Sequence, residues 1–203
     1  MRAVGQALVL FGLSCGLCSA RTYDFDILCN GTPVGRHTVV VEDANGVTEV
    51  TVDIALDVTL AGLELYRYRH SSHEVWRRGR LSSLHSETDD DGDELKLSVQ
   101  PAEDGFLRVE GRDGSRLVPS GIVPSSYWNP ELVNRGEILD SESGRTLKIA
   151  VTPLLQGRYQ LKGDLRLQIE YQQGLWTGLR FSYLGAEIEY QPHQVGQLSA
   201  TMP

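Results

Sequence analysis

Cysteine, lysine and long apolar runs are all scarce in this chain, and each shortage removes a class of protein. Three cysteines occur in 203 residues, and two of them, Cys15 and Cys18, lie in the first twenty. Beyond that point Cys29 stands alone, so an internal disulfide is excluded there and stability has to come from packing. Cys29 has no Cys-x-x-Cys partner and reads as a small buried residue rather than a nucleophile. No lysine-rich block is present and the formal net charge is −8. An acidic chain of this kind argues against nucleic acid and anionic membrane surfaces as partners. The one long apolar run, Ala7 to Leu17, is short for a membrane span.

That run follows Arg2 and ends in small residues at Cys18 and Ala20. The layout is that of a secretory signal peptide over residues 1–20, cleaved before Arg21, which leaves no transmembrane segment. The residues before Cys15 and Cys18 fit a lipid-attachment box poorly, so lipoprotein anchoring is the lesser alternative. Loss of Arg2 takes the net charge from −8 to −9. The expectation is a soluble protein exported to the periplasm. Asn30-Gly-Thr is formally a glycosylation triplet, but with Pro33 following it reads as a turn.

From Tyr23 onward apolar residues alternate with period two between Gly, Asn and Asp punctuation. Tyr23–Cys29 and Val34–Glu42 flank a turn, and the run from Val47 is rich in β-branched residues. Further runs cover Glu64–Arg77, Leu81–Thr88, Glu94–Val99, Phe106–Glu110, Arg116–Val118, Thr146–Val151, Tyr159–Tyr171 and Trp176–Tyr190. Many strands, short turns and no helical pattern between them predict one antiparallel all-β domain over residues 21–192, a strongly curved sheet or half-open β-barrel. The tail, 193–203, is expected to be flexible. One interruption, Asn129-Pro-Glu, has a capping side chain, a proline for the first helical position and an early acid; it predicts a short helix over Pro130–Asn134.

The order of an early Tyr-x-Phe strand, YRYRH followed by Trp76, a Thr-Asp-Asp-x-Gly turn and SYWNPE resembles a family of exported bacterial proteins known only as a domain of unknown function. The resemblance implies a place in the bacterial envelope and brings no activity, cofactor or site residue with it. A looser likeness, in architecture alone, is to the unclosed β-barrels of periplasmic lipoprotein carriers. Fold does not fix function.

The densest set of reactive side chains is YRYRHSSHEVWRR, Tyr66 to Arg78. On a strand its even positions, Glu64, Tyr66, Tyr68, His70, Ser72, Glu74 and Trp76, share a face that is expected to look inward. The odd face carries Arg67, Arg69, His73 and Arg77 and is expected to be solvated. His70 and His73 then point opposite ways and make a poor metal pair. A two-residue hairpin loop at Arg78–Arg80 would add Leu81, Ser83, His85 and Glu87 to the aromatic face, setting a histidine opposite a carboxylate. A three-residue loop would dissolve that constellation. Thr88-Asp-Asp-Asp-Gly-Asp-Glu fails as a calcium loop, because Ser98 falls where the bidentate glutamate is needed. No Gly-x-Ser-x-Gly elbow surrounds any serine.

These residues favour a periplasmic protein that binds or carries an apolar, lipid-like ligand through Tyr66, Tyr68, His70, Glu74, Trp76, His85 and Trp128, with no cofactor or metal. The alternatives are an enzyme working through His70, Glu74, His85 and Glu87, and an envelope module that contacts another protein.

Overall fold

Period-two alternation broken by x-Gly pairs folds, in the computed structural model, into one antiparallel meander. The structure describes residues 19–60 and 62–198; most of the expected signal peptide, 1–18, lies outside them. The strands are β1 (Ser19–Cys29), β2 (Thr32–Ala44), β3 (Val47–Leu60), β4 (Leu63–Arg77), β5 (Arg80–Asp90), β6 (Asp93–Pro101) and β7 (Phe106–Gly111). They continue as β8 (Gly114–Pro119), β9 (Glu137–Leu139), β10 (Thr146–Pro153), β11 (Arg158–Gly163), β12 (Leu167–Gln172), β13 (Leu175–Tyr183) and β14 (Ala186–Leu198). Most hairpins turn on two residues with positive φ, such as Asn45-Gly46 (φ 53° and 77°) and Asp91-Gly92 (φ 53° and 93°). This geometry suits the right-handed twist of the flanking strands.

All fourteen strands form one sheet in the order β8 to β1, then β14 down to β9. Every strand therefore pairs with its chain neighbours except at one break, between β8 and β9, while β1 and β14 join the two ends of the chain. A twisted sheet this wide has to curl, and the curled sheet is not closed. No helix among the described residues is long and apolar enough to cross a membrane.

Two segments fill the inside of the curl. Residues 120–136 span the gap between β8 and β9 and bury Ile122, Val123 and Leu132. They hold to β9 through Leu139 N–H to the Val123 carbonyl (2.9 Å) and Ser125 N–H to the Leu139 carbonyl (2.8 Å). The expected helix is present as a 3-10 helix, Pro130–Asn134, with Asn129 Oδ1 accepting from Glu131 N–H at 3.0 Å. The second segment, 140–145, reaches across to the other wall. Ser86 donates its hydroxyl to the Ser141 carbonyl at 2.6 Å, and a Cβ on Gly144 would lie 2.5 Å from Leu97 Cδ1.

Three expectations change. Tyr159–Tyr171 is two strands, and so is Trp176–Tyr190; they are interrupted at Asp164–Arg166, just after Gly163, and at Leu184-Gly185, an x-Gly turn with positive φ at both residues. The tail expected from residue 193 instead continues β14 to Leu198, in register with Ala20. β9, only three residues long, carries too short a pattern to be read from sequence.

Candidate functional site

The parity expected for β4 holds from Tyr66 to Trp76; Leu65 is an extra residue in the pairing with β3, and Glu64, expected inward, is exposed. His70, Ser72, Glu74 and Trp76 are buried, Tyr66 and Tyr68 half-buried, and all face the inside of the curl. Of the arginines on the opposite face, Arg67 pairs with Asp89 (2.9 Å) and Arg69 with Asp57 (2.7 Å), and Arg77 is exposed.

The register with β5 corrects half of the expected constellation. Arg78-Gly79 is the loop, and Trp76 lies opposite Leu81, as a two-residue loop requires. Val75 then lies opposite Ser83, so Ser82 is an extra residue and β5 bulges there. From that point every side chain of β5 swaps faces relative to the regular strand. His85 and Glu87 accordingly point outward: His85 sits opposite His73 and contacts Gln100 Nε2 at 2.6 Å, while Glu87 pairs with Lys96 at 3.1 Å. Neither a His70–Glu87 nor a Glu74–His85 pair forms. Leu81 and Leu84 are both buried, and that spacing of three was the available sign of the bulge.

Deep on the inner face, Glu74 is fully buried. Its Oε2 accepts from the Trp76 indole at 2.7 Å and from the Trp128 indole at 3.1 Å, and the two rings meet edge to face 5.4 Å apart. This joins the YRYRH strand to the SYWNPE segment. Burial raises the Glu74 carboxyl above the usual carboxylate range against the pull of these donors. Trp76 and Glu74 are therefore core.

Nearer the end of the sheet that carries the β1–β2, β3–β4 and β13–β14 turns, the interior becomes polar and aromatic. Tyr68 donates to Glu142 Oε1 (2.7 Å) and Tyr66 to Asp90 Oδ1 (2.6 Å). His70 Nδ1 pairs with the Thr88 hydroxyl at 2.8 Å, and burial lowers its pKa to about 4. Burial also lifts the Glu142 carboxyl, helped by Asp140 and Asp90, though the Tyr68 hydrogen bond opposes this.

Pairing across β2, β3 and β4 sets His37, Ile54 and His70 in one row. His37 is 1% exposed, with Trp176 and Tyr190 edge-on at 5.2 and 5.5 Å. Sequence reasoning passed over His37, although it shares parity with the inward Val39 and Val41. Glu142, in a loop, carried no periodic signal.

Along four strands the inner face loosens toward this end. On β3, Val50 and Val52 are buried while Ile54, Leu56 and Val58 are half-exposed. On β13, Trp176 and Leu179 give way to Phe181 and then Tyr183, 57% exposed. Tyr66 on β4 and Ile188 on β14 are half-exposed as well. The result is a mouth with apolar walls.

Three clefts, of about 510, 770 and 260 Å³, lie over the strands. They are lined largely by outward polar residues such as Asp53, Arg69, His73 and Arg180, and none is lined by Tyr66, Tyr68 or Trp76. Among the described residues no group of three or more His, Cys, Asp or Glu is placed to hold a metal ion.

Residues 25–193 match the model of a family described as a domain of unknown function, DUF6134. No curated protein matches the chain in sequence. Among solved structures, the chain is similar to a β-barrel-like protein of the domain of unknown function DUF1849 from Brucella abortus. The TM-score is 0.55 at 10% identity, over 88% of this chain and 97% of that one. Identity this low supports the shared fold alone.

Proposed function

The chain belongs to the DUF6134 family, whose description assigns no activity, and we propose that it is an exported, periplasmic protein that binds an apolar, lipid-like molecule in the mouth of its curled sheet. The observation that carries this reading is the run of half-exposed, inward-facing apolar residues on four strands, Ile54, Leu56, Val58, Tyr66, Phe181 and Ile188. Such residues at inward positions ordinarily bury completely when the fold alone requires them. A long apolar chain lying between β3–β4 and β13–β14 would take them out of water at roughly 25 cal/mol per Å². Tyr66 and Tyr68 stay in this site; Trp76 and Glu74 are core, the half-buried Trp128 packs against them, and His85 lies on the outer face.

Native mass spectrometry of protein drawn gently from the periplasmic fraction of its host tests the reading. The expected spectrum shows a chain beginning at Arg21 with an organic-extractable adduct of lipid mass, reduced severalfold by Leu56→Ser with Tyr66→Ser. A bare chain that also takes up no fluorescent fatty probe would overturn it.

A further inference from the structure

Resting on that reading, we propose that the mouth selects the head of its ligand, taking an uncharged, hydroxyl-bearing amphiphile of the monoacylglycerol type, with His37 and the Tyr127 and Tyr190 hydroxyls as its hydrogen-bonding floor. His37 is 1% exposed, and neither ring nitrogen has a hydrogen-bond partner among the described residues. Tyr190, directly opposite Leu179 in the β13–β14 pairing, stands edge-on to His37 at 5.5 Å, and Tyr127 and Tyr190 flank Trp176 at 5.7 and 6.1 Å. Neither tyrosine hydroxyl donates or accepts a hydrogen bond among the described residues, although the Tyr127 carbonyl accepts from Tyr171 at 2.7 Å. The two ring nitrogens of His37, a buried donor and acceptor left open, call for a partner.

The chemistry of that partner follows from what the floor offers. Burial holds His37 near a pKa of about 3 and His70 near about 4, so both rings are neutral at physiological pH. A neutral imidazole presents one donor and one acceptor. A hydroxyl can answer both; a phosphate dianion only accepts and a quaternary ammonium does neither. A phosphate would also face Glu142, Asp140 and Asp90, whose mutual influence already raises the Glu142 carboxyl. The nearby arginines do not offset this, because Arg36, Arg67 and Arg69 lie on the outer face with Asp24, Asp89 and Asp57.

The test titrates the intact protein with three dodecyl amphiphiles below their micellar concentrations: monolauroylglycerol, dodecyl phosphate and dodecyltrimethylammonium. Tryptophan fluorescence, with Trp176 5.2 Å from His37, reports binding, and native mass spectrometry confirms stoichiometry. Monolauroylglycerol is expected to bind at least tenfold more tightly than either charged analogue. His37→Phe should weaken it about tenfold, the worth of one hydrogen bond, and leave the charged analogues unchanged. Should His37→Phe fail to fold, Tyr190→Phe makes the same comparison, and the wild-type head-group series stands without either variant. A charged analogue binding as tightly as the glyceride, or a glyceride affinity indifferent to both variants, overturns the head-group assignment while the apolar-ligand reading survives. Failure of all three amphiphiles to bind overturns both.

Discussion

The two buried histidines make an acid-sensitive element of single residues. Their folded pKa values, about 3 for His37 and about 4 for His70, lie below the unfolded value of 6.5. Below pH 6.5 the unfolded chain therefore binds protons that the fold refuses, so stability is full above that pH and falls as pH drops toward 4. Each group costs about 1.4 kcal/mol per pH unit across its window. Glu74 works in the opposite sense: its raised pKa gives stability that is full at low pH and lost as pH rises through the folded value. Comparing wild type with His70→Gln, which can keep the Thr88 hydrogen bond, isolates one histidine. Urea midpoints at pH 6.5 and 4.5 should show the variant losing about 1–3 kcal/mol less than wild type on acidification. Equal losses would refute the assignment. Parity along β4 makes His70 legible as an inward group from its neighbours Tyr68, Ser72 and Trp76 alone. His37 is equally legible from Val39 and Val41, but a lone histidine ahead of a valine run belongs to no motif that would single it out.

At the scale of elements, most strands were readable because x-Gly turns and period two agree, and the 3-10 helix was readable because its cap residues are strong local signals. What escaped reading was the non-local part. The bulge at Ser82 moved His85 and Glu87 to the outer face. The placement of residues 140–145 against β5, β6 and β7 has no sequence periodicity at all; it depends on a glycine at the point of contact. Gly144 has φ +74°, and a Cβ there would meet Leu97 at 2.5 Å and Val109 at 2.8 Å, whereas Gly46, φ +77°, has open space. Gly46→Ala should cost about 1 kcal/mol for the backbone conformation alone. Gly144→Ala should cost about 2–4 kcal/mol, because the displaced core side chains add to it. Calorimetric melting should separate the two by several degrees; equal melting points would show that the segment does not dock through Gly144.

The whole molecule is a ring of neighbouring strands cut in one place. The cut falls in mid-chain, between β8 and β9, and its two edges are short, six and three residues, as exposed edges need to be. The seam between β1 and β14 carries the opposite burden, since among the described residues it alone pairs the first half of the sheet with the second. The interior crosses the same divide: Trp128 and Glu142 reach β4 from the second half, and Phe25 packs on Trp176 at 4.2 Å. A sheet tied by both its seam and its filling should unfold as one unit, although each half has a strand count that could stand alone. Trp76 and Trp128 report the β4 wall and Trp176 the β13 wall, while far-ultraviolet circular dichroism reports all strands. Urea curves from the two signals should coincide and give one midpoint. A tryptophan transition ahead of the dichroism would mean that the filling leaves before the sheet opens, and that the mouth is a separable, weaker part of the fold.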